Sequence, residues 1–442
     1  MRKPPLYQKR GVIVMNTLKK AYCRVYQAGF RLALPLLPYR EPKILKTVGG
    51  AAKLIRAKGG KKVMIVTDAG ITKLGIHENL INQLKIQGVD YVIYDKTVPN
   101  PTFDNVEEAY ALYKKEGCDC LIGLGGGSSM DCAKGVGARA ARPKKTIDKL
   151  MGKFKVFKKI PLLIAIPTTA GTGSEVTVAS VLTNSETQTK YPIYDFFLIP
   201  YYAVHDWRLT AGLPKNLTAT TGMDALTHAV EAYIGRSTTK HTRKLSEDAV
   251  KLIHDNLYDA YLDGHNEKAR QNMLYASYLA GASFTQSYVG YVHGLAHALG
   301  GKYGTPHGLA NSVILPHFLR AYGKAVEKKL AKLARITCEA TVFDDDAAAC
   351  EKFIRWVEEM NEKMDIPRYI EGIDPADFDF MAGRADKEAN PLYPVPVLMD
   401  KNELVKMYRV VCGNVRKHNF KKASEAGLRE HDAHRTHVKK SS

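Results

Sequence analysis

Apolar residues in the first half of the chain occur in short runs that are separated by longer stretches of mixed polarity. Such runs, rich in Val, Ile and Leu, indicate buried β-strands. They span residues 61–68, 90–95, 120–124 and 161–167. Residues 71–86 and 103–116 instead repeat apolar positions with helical spacing, and a further helix is expected through residue 134. Strands that alternate with helices predict a parallel sheet wrapped by helices, which is the usual housing of a dinucleotide.

The pattern changes beyond Pro214, where Ala, Leu, Glu and Lys dominate. Helical spacing of apolar residues recurs in four long segments. These are residues 221–233, 245–261, 269–287 and 324–338. The sequence therefore predicts an α/β dinucleotide-binding domain with a parallel sheet over residues 39–213 and an all-helical domain over residues 214–410. Residues 1–38 and 411–442 are interpreted as basic N-terminal and C-terminal extensions.

The formal net charge of +20 is concentrated at the two ends of the chain. Residues 1–62 contain 16 Lys or Arg and one acidic residue, and residues 401–442 contain 11 Lys or Arg and four acidic residues. Against the total of +20, these ends leave a net charge of −2 for residues 63–400. Basic ends attract RNA, acidic lipid or another protein through a salt-sensitive field. Solvated tails are the favoured interpretation, and no specific nucleic-acid partner is expected.

Residues 17–37 predict a basic helix rich in Leu, Tyr and Phe. It either lies on a membrane surface or docks on the rest of the protein or a partner subunit, and docking is favoured. No apolar run reaches the roughly 18 residues that a membrane-spanning helix requires. Lys19, Lys20, Arg24 and Arg31 interrupt any secretory signal. Seven cysteines without framework spacing fit a reducing compartment, so a cytoplasmic location is expected.

Three glycines at residues 125–127 lie between a predicted strand and a predicted helix. Glycines there let a phosphate approach the backbone, where unpaired N–H groups and the positive end of the helix hold it. A tight strand-to-helix turn is the alternative, and the order differs from the G-x-G-x-x-G of an ordinary Rossmann fingerprint. Residues 167–175 follow the next strand and carry small hydroxylated residues and glycines, which suit a ribose or a carboxamide.

Five residues that commonly bind metal ions occur at spacings that would bring their side chains together. Asp224 and His228 stand four residues apart in a helical pattern, so their side chains face the same direction. His293 and His297 have the same spacing, and His307 follows in a turn-like Thr-Pro-His-Gly segment. Mixed oxygen and imidazole ligands suit Fe²⁺, Zn²⁺, Ni²⁺ or Mn²⁺. One histidine pair alone is more often an ordinary surface or core feature, and spacing does not decide which four of the five bind an ion.

Five segments in the same order resemble the iron-containing, or group III, alcohol dehydrogenases. They are GGGSSMDCAK at residues 125–134, PTTAGTGSEVT at 167–177, TGMDALTHAVEAY at 221–233, HGLAHALG at 293–300 and TPHGLAN at 305–311. The resemblance runs from about Tyr39 to Tyr408. It implies an N-terminal α/β cofactor domain, a C-terminal helical domain and a metal ion in the cleft between them.

The resemblance also assigns roles to particular residues. The implied metal ligands are Asp224, His228, His293 and His307, and His297 stands beside the substrate as a proton relay. The positions that match cofactor contacts are Asp68, Asn100, Gly126, Gly127, Ser128, Asp131, Thr168, Thr169 and Lys190. The implied cofactors are NAD and one divalent metal ion per chain, Fe²⁺ first with Zn²⁺ as the alternative. A homodimer or higher homo-oligomer is expected.

The implied reaction is hydride transfer between NAD and a small primary alcohol or diol, or the reverse reduction of an aldehyde. Metal lowers the pKa of the alcohol hydroxyl, and His297 passes the proton to solvent. Asp68 is expected to accept hydrogen bonds from the adenosine ribose and to repel a 2′-phosphate, unless it only caps its turn.

Two other functions compete with this one. A metal- and NAD-dependent cyclase or lyase resembling dehydroquinate synthase would need several cationic residues for an acidic substrate, which the nearly neutral body of the chain disfavours. A non-catalytic binding protein, targeted through its basic ends, is disfavoured because all four implied metal ligands are present.

Overall fold

The N-terminal half of the molecule is built on a parallel sheet, as predicted. The structure is a computed structural model, and it describes residues 15–187 and 189–413. Its strands are β1 (Lys43–Leu45), β2 (Lys62–Val66), β3 (Asp90–Tyr94), β4 (Cys120–Gly125), β5 (Gly152–Lys153), β6 (Leu162–Pro167), β7 (Ala179–Asn184), β8 (Thr189–Tyr194) and β9 (Tyr202–Val204). Six of them form one sheet in the order β1-β9-β6-β4-β2-β3, with every neighbouring pair parallel.

Helices cover this sheet and form the second half of the molecule. The described α-helices are α1 (Thr17–Ala33), α2 (Val48–Ala57), α3 (Ala69–Lys73), α4 (Glu78–Ile86), α5 (Phe103–Lys115), α6 (Gly127–Ala141), α7 (Lys215–Ile234), α8 (Lys240–Leu262), α9 (Glu267–Ser287), α10 (Tyr291–Tyr303), α11 (His307–Tyr322), α12 (Glu327–Ile336), α13 (Asp346–Lys363), α14 (Phe378–Ala389) and α15 (Lys401–Val411). Helices α7 to α15 share one buried apolar core. The predicted pairing of an α/β part with a helical part is therefore confirmed.

Alternation along the strands places apolar side chains on both faces of the main sheet. In β2, Val63 and Ile65 belong to one buried cluster, whereas Met64 and Val66 belong to another. Successive side chains of a strand point to opposite faces, so a run with no polar position must be covered twice. Helices α2 and α4 contribute to the first cluster, and α5 and α6 contribute to the second.

A second, three-stranded sheet was not predicted. Strands β7 and β8 form an antiparallel hairpin, and β5 pairs with β8 in parallel. These strands mix apolar residues with Thr, Lys, Asn and Pro, so they lack the Val/Ile-rich runs of the main sheet. Lys190, one of the predicted cofactor contacts, lies on β8 opposite Thr183.

The predicted helix over residues 71–86 is wrong, because the structure has two helices there. Helix α3 ends at Lys73, and α4 begins at Glu78. Gly75, between them, has a φ of 69°, a left-handed conformation that ends helical geometry and that glycine adopts without strain. The apolar spacing continued through the break because Ile71, Leu80 and Leu84 all face the same core.

The first helix packs on its own chain. Cys23 and Gln27 are buried, and Gln27 Nε2 donates to Tyr393 O at 2.8 Å. Lys19 forms an ion pair with Asp386 at 2.9 Å, and the Phe30 ring lies 4.8 Å from the Tyr288 ring, centroid to centroid. These contacts favour the docked interpretation of residues 17–37. The opposite face of α1 leaves Leu18, Tyr22 and Val25 exposed.

Parts of the two basic extensions lie outside the described residues, namely residues 1–14 and 414–442. Within the described part of the chain, no helix combines the length and apolar character needed to cross a membrane. The predicted domain limits stay a prediction: residue 214 immediately precedes α7, and residue 411 ends α15.

The α/β part and the helical part meet through backbone packed at very short range. Gly173, with a φ of 57°, belongs to the loop after β6, and Gly281 lies in the middle of α9. A Cβ on Gly281 would approach Val176 Cγ2 to 2.6 Å and Gly173 O to 2.8 Å. Only glycine therefore fits at this contact.

We expect the substitution Gly281→Ala to destabilise the protein by about 1–3 kcal/mol, the usual cost of overpacking a core. Gly29→Ala is the matched control, because nothing lies within 4 Å of a Cβ built there. In that exposed position of α1, alanine should raise helix stability by about 0.5–1 kcal/mol. Thermal unfolding of both variants checks this; an unchanged melting temperature in Gly281→Ala would contradict the packing argument.

Candidate metal and cofactor site

Most of the predicted cofactor residues gather at one edge of the main sheet. Register pairs Val66 with Gly123 and Gly125 with Pro167, so β2, β4 and β6 end side by side. The residues just beyond these ends are Asp68, Gly126, Gly127, Ser128, Thr168 and Thr169. Ligands of open α/β sheets bind outside the carboxyl ends of the strands. Asn100, in the exposed connection between β3 and α5, has a φ of 59°, which asparagine tolerates.

The glycine loop has the geometry of an anion cradle. Gly126 is the N-cap residue of α6, and no side chain caps that helix. Gly125 has a φ of 143°, and a Cβ there would lie 2.5 Å from Ser129 Oγ. A Cβ on Gly127 would lie 3.0 Å from Thr172 Cγ2. The N-terminal N–H groups of α6 are thus free of side-chain caps, as phosphate binding requires, and Thr169 and Thr172 lie beside them.

Asp68 caps a helix with one carboxylate oxygen and turns the other toward the glycine loop. Its Oδ1 accepts hydrogen bonds from Gly70 N at 2.9 Å and Ile71 N at 3.1 Å, which caps α3. Its Oδ2 accepts from Ser129 Oγ at 3.4 Å, on the side of the glycine loop. Asp68 therefore does cap its turn, as the alternative interpretation of the sequence proposed. Its second carboxylate oxygen still faces the carboxyl edge of the sheet.

Asp131 is bonded inside the protein through both carboxylate oxygens. Oδ1 accepts from Ser174 Oγ at 2.8 Å, and Oδ2 accepts from Val181 N at 2.9 Å. Burial raises its pKa, and the nearby Lys134 opposes that shift. Asp131 thus ties α6 to β7 and to the loop after β6, and a contact with the cofactor stays a prediction.

Lys134 lies one helical turn beyond Asp131 and is fully buried. Its Nζ donates to five oxygens of Ser174, Thr177 and Ala179, at distances from 2.7 to 3.2 Å. Burial lowers its pKa to about 8. This amine fixes the loop after β6, which packs against both the glycine loop and the helical part.

Four of the five metal-binding candidates converge in the helical part. Asp224 and His228 come from α7, His293 from α10, and His307 from the first residue of α11. One ligand atom from each lies within 4.8 Å of the other three. Asp224 Oδ1 lies 3.9 Å from His293 Nε2 and 3.6 Å from His307 Nε2. His297 is not part of this group.

The charges and unused atoms of this cluster fit a cation. Burial raises the pKa of Asp224 to about 7, although the hydrogen bond from Asn311 and the charge of His297 oppose this shift. Burial and the proximity of the other imidazoles lower the pKa of His228 and His293 well below their ordinary value, so both rings are neutral. His293 Nε2 and His228 Nδ1 are buried without a hydrogen-bond partner. Neutral imidazoles and a carboxylate are the form in which these side chains bind metal.

A buried carboxylate orients His293. Glu231 Oε2 lies 2.6 Å from His293 Nδ1, and the same side chain accepts from Gly290 N and Val292 N at 2.9 Å. Burial raises the pKa of Glu231 to about 7. Because Nδ1 is engaged, Nε2 is the nitrogen turned toward Asp224. Such carboxylate–histidine pairs fix the tautomer of metal ligands.

Asn311 ties two other candidates together. Its Nδ2 donates to Asp224 Oδ1 at 2.6 Å and lies 3.1 Å from His307 Nε2. Asn311 follows His307 by one turn of α11 and is completely buried. The amide therefore sets the position of Asp224 relative to the mouth of the cluster, where His307 remains partly exposed.

His297 stands beside the cluster with its own carboxylate. Its ring stacks on His307 with centroids 5.2 Å apart, and its Nδ1 lies 2.6 Å from Glu388 Oε1. Tyr393 OH donates to the same oxygen at 2.7 Å. Burial alone would raise the pKa of Glu388, but His297 and Tyr393 outweigh it and the net shift is downward. One third of the His297 side chain is exposed, so solvent reaches this pair.

Comparison with known proteins agrees with this geometry. Residues 45–207 match the family model described as iron-containing alcohol dehydrogenase, and residues 218–412 match that of the Fe-containing alcohol dehydrogenase family, C-terminal. The chain is 38% identical to 1,3-propanediol dehydrogenase of Citrobacter freundii, over 86% of this chain and 98% of that protein. The chain belongs to the iron-containing alcohol dehydrogenase family.

Two further similarities support this membership. The chain is 38% identical to NAD-dependent methanol dehydrogenase of Bacillus methanolicus, over 77% of this chain and 89% of that protein. The crystal structure of a 1,3-propanediol oxidoreductase superposes with a TM-score of 0.80 at 36% identity, covering 84% of this chain and 97% of that one. Like the enzymes of this family, the chain is an oxidoreductase that acts on CH–OH groups.

Sequence reasoning missed three residues of this alcohol dehydrogenase site. Glu231 follows Asp224 by seven residues on α7, a spacing that returns to the same helix face and gave a usable signal. Asn311, four residues after His307, gave a similar one. Glu388 lies 91 residues from His297, so only the tertiary fold brings the two together.

We expect Glu231→Gln to weaken metal retention about 10- to 100-fold, the usual effect of losing an orienting carboxylate. Glu247→Gln is the control, since Glu247 on α8 bonds Tyr233 and Lys332 rather than a ligand candidate. Metal content after dialysis against graded chelator checks this. Equal metal retention in the two variants would show that Glu231 does not orient His293.

Proposed function

We propose that this family member is a metal-dependent dehydrogenase that transfers a hydride between NAD and a small primary alcohol or diol. In this proposal Asp224, His228, His293 and His307 hold one divalent ion, Fe²⁺ first and Zn²⁺ as the alternative. The observation that carries it is the convergence of four neutral or acidic ligand atoms within 4.8 Å, three of them on buried residues. A bound ion would supply Lewis acidity at the substrate oxygen.

The cofactor assignment is supported by the carboxyl edge of the sheet. We assign Gly126, Gly127 and Ser128 to the pyrophosphate, and Thr168 and Thr169 to the nicotinamide side. Asp131 and Lys190 complete this surface: Lys190 on β8 is half-buried and interacts electrostatically with Glu388 and Asp131. The remaining predicted contacts are Asp68 and Asn100. The name of the methanol dehydrogenase relative, NAD-dependent, supports the choice of cofactor.

We assign proton transfer to His297. Glu388 holds its Nδ1, which leaves Nε2 to exchange a proton with the substrate hydroxyl or with solvent. Tyr393 in turn holds Glu388, so the imidazole is oriented by two successive hydrogen bonds. The partial exposure of His297 supports a route for the proton to bulk water.

The substrate class rests on the names of the relatives and on an aromatic ring beside the cluster. The similar proteins are named for 1,3-propanediol and methanol, both small primary alcohols. The Phe284 ring stacks on His228 with centroids 4.2 Å apart, which gives one wall of the cluster an apolar surface. We extend the proposal to a cytoplasmic homo-oligomer with no specific nucleic-acid partner, with the dinucleotide domain over residues 39–213 and the helical metal domain over residues 214–410.

The proposal is tested by steady-state NADH formation with a panel of short alcohols and diols. Chelation should abolish turnover, and Fe²⁺ should restore it. His307→Ala should lose both metal and activity. His297→Ala should retain metal but slow turnover by roughly 10²- to 10⁴-fold and alter the pH profile, as expected on removing a general acid–base group.

Three results would contradict this assignment. Full metal content and activity in His307→Ala would remove it from the ligands. Metal loss in His297→Ala equal to that in His293→Ala would show that His297 is a metal ligand rather than the proton-transfer group. Absence of net NADH formation, with a cyclisation or elimination of an acidic substrate instead, would favour the alternative that resembles dehydroquinate synthase.

Cofactor preference gives a separate prediction at Asp68. Asp68→Asn keeps an oxygen that caps α3 and removes the charge that would repel a 2′-phosphate. We expect it to raise kcat/KM with NADP by about ten- to hundredfold relative to NAD, corresponding to roughly 1–3 kcal/mol. Asp68→Gly should shift the preference similarly and also lose about 1 kcal/mol of stability with the cap. Equal kcat/KM values for NAD and NADP in the unaltered enzyme would contradict the role of Asp68 in cofactor preference.

A further inference from the structure

A cationic pocket lies on the helical part, on residues that take no part in the metal cluster. It is a cavity of about 570 Å³ where α1, the end of α7, the start of α8 and α12 meet. Its basic lining residues are Arg31, Arg236, Arg243 and Lys329, and its apolar lining includes Ile234 and Pro396. The four cations come from four different segments of the chain, so the tertiary fold rather than a local run of sequence assembles them.

These cations have no acidic partners within the described part of the chain. Among residues 15–187 and 189–413, no carboxylate lies within ion-pair distance of any of the four. The side chains of Arg31 and Arg236 donate no hydrogen bond to another described residue. Arg243 donates to Thr238 Oγ1 at 3.0 Å, which leaves most of its guanidinium donors unused. The surface elsewhere pairs many of its charges, as in Arg320 with Glu351 and Glu358.

Lys329 contributes charge rather than free donors. Its Nζ donates to the carbonyl oxygens of Tyr233, Ile234 and Gly235 at 2.8 to 3.1 Å, which satisfies the C-terminal end of α7. Burial, and then the fields of Arg243, Arg236 and Arg31, lower the pKa of Lys329 to about 8. The charges are therefore close enough to repel one another.

The start of α8 adds to this positive field. Its first turn carries no acidic residue, although acidic residues are the ones that the positive end of a helix dipole favours. Lys240 and Arg243 stand there instead. Arg24, which holds the carbonyl oxygens of Val395 and Pro396, lies near enough to Arg236 that their charges interact. Each of these arrangements costs free energy that a bound anion would recover.

We propose that this pocket binds a small soluble molecule that carries at least two negative charges on phosphate groups. Guanidinium groups present paired donors that match phosphate oxygens, and Arg31, Arg236 and Arg243 converge with donors unused. The cavity volume lies within the range of small-molecule sites. Ile234 and Pro396 give the carbon skeleton of such a molecule an apolar contact. The site is separate from the dinucleotide edge, which lies on the parallel sheet.

The probe for the test is fructose 1,6-bisphosphate, titrated calorimetrically at low ionic strength into enzyme saturated with NAD⁺. Saturation occupies the glycine loop, so that binding there is excluded. We expect one molecule bound per chain. The double variant Arg31→Gln/Arg236→Gln should weaken binding about tenfold or more, since two charge-assisted contacts are removed. Its turnover of alcohol should match the unaltered enzyme, and its melting temperature should not fall, because neither side chain bonds another described residue and the two charges repel their neighbours.

Lys53→Gln and Arg56→Gln together are the matched control, because they also remove two positive charges, from exposed positions of α2 on the α/β part. A weakening there equal to that in the double variant would overturn the proposal, since the binding would be a general effect of charge. No binding to the unaltered enzyme, or binding that the double variant retains, would overturn it as well. Sedimentation with phosphatidylglycerol vesicles in the absence of bisphosphate binding would instead assign the cluster to a membrane surface.

Discussion

The close contact between the loop after β6 and the helices α7 and α9 is the constraint on which the site depends. Gly171 faces Thr221 on α7, where an added Cβ would come within 2.8 Å of the Thr221 carbonyl oxygen. Asp224 lies one turn further along the same helix. Hydride transfer requires reacting atoms about 3–3.5 Å apart, so an error of 1 Å between the two halves of the molecule would be costly. Glycines at this contact remove the side chains that would otherwise separate the two halves.

A buried charge that is unbalanced within the protein is the second constraint. Asp224 faces imidazoles that burial holds neutral, and Asn311 is its hydrogen-bond donor. A carboxylate in such surroundings favours either a proton or a cation, which is why its pKa rises to about 7. Lys134 shows the opposite solution, because five oxygens surround its buried amine. The first arrangement suits binding of an ion, and the second suits the holding of a loop.

Sequence reasoning predicted the main sheet and the long helices because their apolar spacing is regular over many residues. It could not predict β7 and β8, because their many polar residues interrupt the apolar pattern of a buried strand. It also missed the break at Gly75, because the same apolar face continues across the two helices on either side. Two pairs with i,i+4 spacing and a turn-like histidine segment indicated the five metal-binding candidates, and the resemblance to the family selected four of them as ligands. The residues that orient the histidines were harder to predict from the sequence. Glu388 contacts His297 from α14, and no local spacing connects the two.

The two histidines of α10 show how burial separates roles within one helical turn. His293 and His297 each have a carboxylate at 2.6 Å from Nδ1, so the pairing alone does not distinguish them. Glu231, behind His293, is fully enclosed and accepts two backbone N–H groups, which fixes the ring rigidly. His297 keeps a third of its side chain exposed, and its partner Glu388 also accepts a hydrogen bond from Tyr393 OH. An enclosed imidazole with an unpartnered Nε2 suits a ligand, whereas a solvent-accessible imidazole on a hydrogen-bonded chain suits proton exchange.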